Sequence, residues 1–171
     1  YNTDLDGVFV NGDGTKNIKN LDALFTQQNK NIINALFGNG ERNRDELGNG
    51  IYNKFGIVRN NFNISSIQFA LHYMFEDVKT LHSFLRNVSE CTKVNGYFVG
   101  TCFDGKKIFN LLKDISVKKS ITIFKNNEES EKIWEITKDY NKETFEDDET
   151  SLGYSISIFQ DSINKKIEEY L

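Results

Sequence analysis

Two places in the chain set polar side chains directly after a short apolar run. Asp13 follows GVFVN at residues 7–11 and sits inside the turn GDG at 12–14. Gln68, His72 and Tyr73 follow ISSI at 64–67. In a doubly wound sheet, ligands lie beyond the carboxyl ends of the strands, where the crossover loops diverge. A carboxylate there accepts from an amino group, an amide both donates and accepts, and an imidazole N–H donates to a carbonyl. Cys91 and Cys102 share no metal-type spacing, so no metal is expected. His82 falls off the apolar face of its helix and is assigned no role.

These groups need elements to hold them. GVFVN reads as a strand feeding a tight turn. The apolar spacing predicts a helix from Asn17 to about Phe37, broken near Gln27 and stopped by Gly38. Residues 38–61 read as an insertion loop with a short helix around Asp45 to Phe55. Ile64 to Phe69 is expected as a buried strand, Asp77 to about Lys93 as a helix, and Asn95-Gly96 as its stop. Tyr97 to Thr101 then reads as a strand and Lys106 to Leu112 as a helix. Strand, helix, strand, helix is an α/β pattern. Ile121 to Phe124, Ile133 to Ile136 and Tyr154 to Phe159 follow as strands without helices between them, which predicts an antiparallel back end. KETFEDDETS at 142–151 is an acidic loop, and EEYL at the end continues a helical pattern.

Composition bounds the rest. With 171 residues, 38% of them hydrophobic, the chain suits a single domain, 1–171, with a real core. A net charge of -4 gives no overall positive field, so any RNA contact must be local. No apolar run approaches the roughly 20 residues that cross a bilayer, and no membrane partner is expected. Two thiols define no disulfide framework, which suits a reducing compartment. Both ends read as cut, so the chain is expected to be a fragment of a longer protein.

FNISSIQFALHYMFE at 62–76 and LRNVSECTKVNGYFVGT at 85–101 resemble the FD-x-x-S-x-QF-x-x-HY-x-FE and LRN…GG-x-F-x-GT blocks of the mRNA cap guanine-N7 methyltransferases. The resemblance is nearest to the version inside capping enzymes of large DNA viruses, mimivirus-like, and covers essentially the whole chain. It implies a class I Rossmann-like methyltransferase fold, α/β, with a parallel sheet at the front, antiparallel strands at the back, and the N-terminal part of the domain missing. It also implies S-adenosylmethionine as cofactor, capped RNA as substrate, and other capping domains in the same polypeptide. A viral member would work in the cytoplasm, in a viral factory or virion, and a cellular one in the nucleus.

The resemblance assigns roles residue by residue. Asp13, Gln68 and Tyr73 match cofactor-binding positions: Asp13 at the adenine amino group, Gln68 near the adenosine, Tyr73 near the methionine end. His72 matches the group that donates to the guanine carbonyl. Glu169 matches the glutamate that accepts from the Watson–Crick edge of guanine. Phe69 is read as stacking on the base or packing in the core. Phe103 stands where many cellular members have a proline against the cap, and Glu168 where the family often has proline. The plainer readings are a turn-forming Asp13, a solvated Gln68, a core Tyr73 and a solvated helical Glu169. No catalytic base is expected, because N7 of guanine carries a free lone pair and loses no proton. The family's glycine-rich cofactor turn occurs nowhere in this sequence, so the isolated chain is expected to be inactive. Two other readings stay open: a non-catalytic methyltransferase-like module that binds partners, and a small-molecule methyltransferase sharing the fold.

Overall fold

The computed structural model describes residues 6–125 and 131–171. They fall into two compact units, 6–65 with 82–98, and 66–81 with 99–125 and 131–171.

In the first unit, Val8 and Val10 pack on a core of Ala23, Leu24, Ile33, Leu36, Phe37 and Cys91, while Phe9 between them is exposed. This is the alternation of a strand, yet no ladder forms among the described residues. Only an isolated bridge joins Gly12 to Leu24. The expected strand at 7–11 is therefore an extended segment, because a strand is defined by its partner and not by its side chains alone. The helix expected from Asn17 is also shorter. α1 spans Gln27–Phe37, with the Thr26 side chain accepting from the Asn29 N–H at its start and Gly38, at φ 79°, closing its end. Upstream, Asn17 accepts from the backbone N–H three residues on and Asn20 from that two residues on. These local bonds compete with helix, and Leu21 sits at φ 73°. α2, Arg44–Asn53, lies inside the expected insertion loop and breaks at Gly48.

β1 (Phe62–Gln68), α3 (Val78–Cys91) and β2 (Thr92–Thr101) follow, with β1 paired to β2. A helical crossover between two neighbouring strands gives a parallel pair. β1 was expected to be buried, but Ile64 is 58% exposed. Apolar composition predicted burial, whereas burial requires a covering layer. Phe69, expected at the strand end, lies outside it at φ 52°.

The second unit carries α4 (Gly105–Leu111) and a four-stranded antiparallel sheet ordered β3 (Ser120–Phe124), β4 (Lys132–Lys138), β5 (Ser155–Gln160), β6 (Lys165–Tyr170). Leu112, Ile136 and Ile156 are its most enclosed side chains, within a cluster that includes Phe109, Tyr140 and Tyr154. The C-terminal segment is strand, correcting the helical reading. A turn at Asp161–Asn164, with Asn164 at φ 52°, brings Lys165–Tyr170 back along β5. Ile163, Ile167 and Tyr170 fit a helical interval in sequence, but Ile167, Glu169 and Leu171 face inward on alternate residues. The fold is mixed α/β, with one parallel pair and one antiparallel sheet. Among the described residues no helix is long and apolar enough to cross a membrane.

Ile136 is fully buried, so Ile136→Ala should lower stability by about 2–5 kcal/mol through lost transfer energy and a residual cavity. Chemical denaturation measures this, and a loss below about 1 kcal/mol would show that the sheet core collapses around the gap.

Candidate functional site

The second unit brings together four residues that sequence spacing scatters. His72 and Tyr73 lie in a 3-10 turn, Leu71–Phe75, after β1. Phe103 sits between β2 and α4, and Glu169 lies on β6 opposite Ile156 of β5. A backbone bond from Gly153 N–H to the Phe75 carbonyl, 2.9 Å, ties the start of β5 to that turn. The His72 ring stacks on Phe103, with centroids 4.4 Å apart and planes at 13°. Tyr73 lies 4.4 Å from the His72 centroid at a tilt. Its hydroxyl donates to Glu169 Oε1 at 3.4 Å.

His72 is 3% exposed and Glu169 8%. Both ring nitrogens of His72, and Glu169 Oε2, are buried without a hydrogen-bond partner among the described residues. A buried polar group left unpaired costs about 1–3 kcal/mol, so three of them in one cluster mark a place built for something else. His72 Nε2 lies 3.6 Å from Glu169 Oε1, too far for a hydrogen bond. Burial holds the imidazole below the usual histidine range and lifts the Glu169 carboxyl, against the pull of the Tyr73 bond. Desolvation thus outweighs mutual attraction, and burial pushes each group toward its uncharged form. Burial, followed by the Glu169 charge and bond, raises the Tyr73 phenol.

Gln68 and Phe69 lie nearby in the chain and share a partner. Thr101 Oγ1 donates to Gln68 Oε1 at 2.9 Å and accepts from the Phe69 N–H at 3.0 Å. Gln68 Nε2 donates to Ser66 Oγ, and its side chain stays exposed. The Phe69 ring is 78% exposed, so it is not core. Thr101 closes the second sequence block, and its two hydrogen bonds join β2 to the end of β1. Its only signal was its place at a strand end.

Asp13 belongs to the first unit. Its Oδ1 accepts from the Thr15 N–H and hydroxyl, at 3.0 and 2.6 Å, and Lys16 Nζ stands 3.3 Å from Oδ2. The Thr15 hydroxyl, chiefly, holds the carboxyl below its ordinary range. This is a turn-forming aspartate, with one acceptor position of its four left over. Asn87 of α3 anchors the same turn. Its side chain accepts from the Ile18 N–H at 2.9 Å and donates to the carbonyls of Gly14 and Lys16. Asn87 stands in the LRN block and was not singled out, because nothing in a sequence reveals which carbonyls an amide will meet.

The sequence model of the mRNA (guanine-N(7))-methyltransferase domain matches residues 14–164. The chain belongs to that family. The match takes in Gln68, Phe69, His72, Tyr73 and Phe103, while Asp13 and Glu169 lie just outside it. A probable mRNA-capping enzyme of Acanthamoeba polyphaga mimivirus is 30% identical over 129 residues, 74% of this chain and 10% of that protein. An mRNA cap guanine-N(7) methyltransferase of Drosophila melanogaster is 39% identical over 51 residues, 30% of this chain and 12% of that protein. Another from Aspergillus clavatus is 32% identical over 103 residues, 58% of this chain and 17% of that protein. The chain therefore spans 10–17% of the length of these curated relatives.

The two buried groups titrate with opposite signs. The raised Glu169 pKa stabilises the fold below pH 4.5, and that contribution is lost as pH rises through the raised value. The lowered His72 pKa stabilises it above pH 6.5, and that is lost as pH falls through the lowered value. Glu169→Gln removes the first effect alone. It should raise stability at pH 8 and change it little near pH 4, as thermal melts at both pH values would read. Destabilisation at pH 8 would mean that the carboxylate is held by a charged partner.

Proposed function

We propose that this chain carries the guanine-recognition part of a cap guanine-N7 methyltransferase of Rossmann-like fold, acting within a larger capping protein. The observation that carries this reading is the set of unpaired buried atoms on His72 and Glu169, flanked by Phe103 and Tyr73. The guanine edge runs from the carbonyl oxygen O6 to the N1–H and the exocyclic amine. A neutral imidazole has one N–H to give to O6, and a carboxylate accepts from both N–H donors. Adenine reverses that order, presenting a donor to the imidazole N–H and an acceptor to the carboxylate, and so leaves both unpaired. Phe103 offers the base an apolar face, and the exposed Phe69 ring offers a second aromatic surface to the capped RNA.

The cofactor of this reading is S-adenosylmethionine, which when bound supplies the methyl group. Three positions would contact it by resemblance to the family, each taken by itself. Asp13 has an acceptor position to spare for the adenine amino group, and Gln68 has an exposed amide for the adenosine. Tyr73 is the third position, toward the methionine end. N7 attacks with its own lone pair, so the protein's task is orientation and a dry, polar surrounding, with no proton to remove. His72 and Glu169 orient the base through the edge next to N7. Each guanine N–H given to Glu169 also favours the ionised carboxyl, so capped-RNA affinity should fall as pH drops through the raised Glu169 pKa.

In the full-length protein, Glu169→Gln should lower kcat/KM for capped RNA by about 10- to 100-fold, the loss of a charge-assisted bond. S-adenosylmethionine affinity, read by calorimetry, should not change. An unchanged kcat/KM would take Glu169 out of the guanine site, and a partner-binding module without activity would show no methylation in the parent either.

A further inference from the structure

The groups that would read guanine are sealed. His72 is 3% exposed and Glu169 8%, so no base can reach them while their neighbours stay where they are. Something has to move, and the surroundings differ in freedom. Glu169 is fixed in the β5–β6 ladder opposite Ile156. Tyr73 is tethered by its hydroxyl to Glu169. Phe103 has no polar tether: its half-buried ring lies flat on His72 and against the edge of the core cluster of Phe109, Leu112 and Leu171, between exposed Cys102 and exposed Asp104. Asp104 caps α4 by accepting from the Lys107 N–H at 3.1 Å, and Thr101 ends β2. Only Cys102 and Phe103 lie between those two fixed points.

We infer that Phe103 is a movable cover of this pocket and sets its specificity: its ring stays on His72 until a base that satisfies both His72 and Glu169 displaces it. The second clause rests on the guanine reading proposed above, whereas the first stands on the stack and the burial. Phe103 competes with every entering base for the space against His72, and a ring stack has no hydrogen bonds to lose. Guanine pairs the unsatisfied nitrogen and oxygen atoms and so recovers what the closed pocket lacks. Adenine gives up the stack without pairing them. The cover turns a modest preference into induced-fit selection, in which only the right base opens the site.

The chain has 2 histidines, and the exposed His82 is an internal reference for the buried His72. In the full-length protein, acylation by diethyl pyrocarbonate followed by peptide mass spectrometry reads both at once. In the wild type, His72 should react far more slowly than His82. Phe103→Ala, and Phe103→Leu which keeps apolar bulk without the stack, should each raise the His72-to-His82 ratio by roughly 2- to 12-fold, the worth of one aromatic pair. The leucine variant decides the matter where the alanine variant fails to fold. An unchanged ratio in a folded variant overturns the cover. The dinucleotide GpppG should slow His72 acylation in the variants and bind them with a faster association rate than it binds the wild type, while ApppA should do neither. A raised ratio with no protection by GpppG would leave the cover standing and overturn the guanine reading and, with it, the selection.

Discussion

An imidazole and a carboxyl group are buried side by side with too few partners, and the second unit is arranged around that constraint. The antiparallel ladder sets Glu169 facing inward, the 3-10 turn after β1 aims His72 at it, and aromatic rings close the sides. Burial pushes both groups toward their uncharged forms, which lessens the cost of isolated buried charge. It does not avoid the cost of unpaired donors and acceptors. That residual cost is carried by the surrounding core, where Leu112, Ile136 and Ile156 are almost wholly enclosed. Stability is stored in one place and withheld in another, as at many binding sites.

The same arrangement suits a reaction without proton transfer. Where the nucleophile is a ring nitrogen with a free lone pair, rate comes from holding it in line and from the polarity around it. In the proposed reading, holding the base by its Watson–Crick edge would do both, because fixing that edge fixes the direction of N7. Gln68, Phe69 and Thr101 form a compact knot at the strand end beside this pocket in the chain. The left-handed backbone at Phe69 keeps a large apolar ring in solvent, which is costly unless the ring has a surface to meet.

Much of this was legible in the order of residues. Offsets of four and five residues from Gln68 to His72 and Tyr73 identified the family block, since the side-chain types a binding edge needs are local and their spacing along a turn is short. The strand, helix, strand succession through Thr101 and the strand-rich back end were also readable, because periodicity and turn chemistry act over a few residues. Asp13 was found at its turn by the same local signals, and Thr15 shows the turn-forming part of its work.

What the sequence could not determine is which side chains are buried and what they meet. Resemblance alone pointed Glu169 at guanine, and local pattern offered only a solvated helical carboxylate, because Ile163, Ile167 and Tyr170 satisfy a helical interval equally well. Only pairing with β5, a contact between distant residues, turned the segment into a strand and that carboxyl inward. Val8 and Val10 alternate as a strand would, yet a strand also needs a neighbour. The stack of Phe103 on His72, the tether from Tyr73 and the hold of Asn87 on the Asp13 turn likewise join residues far apart in the chain. Local residue order set the chemistry available to this protein, and long-range packing decided which of those groups would be stripped of water and left without a hydrogen-bond partner among the described residues.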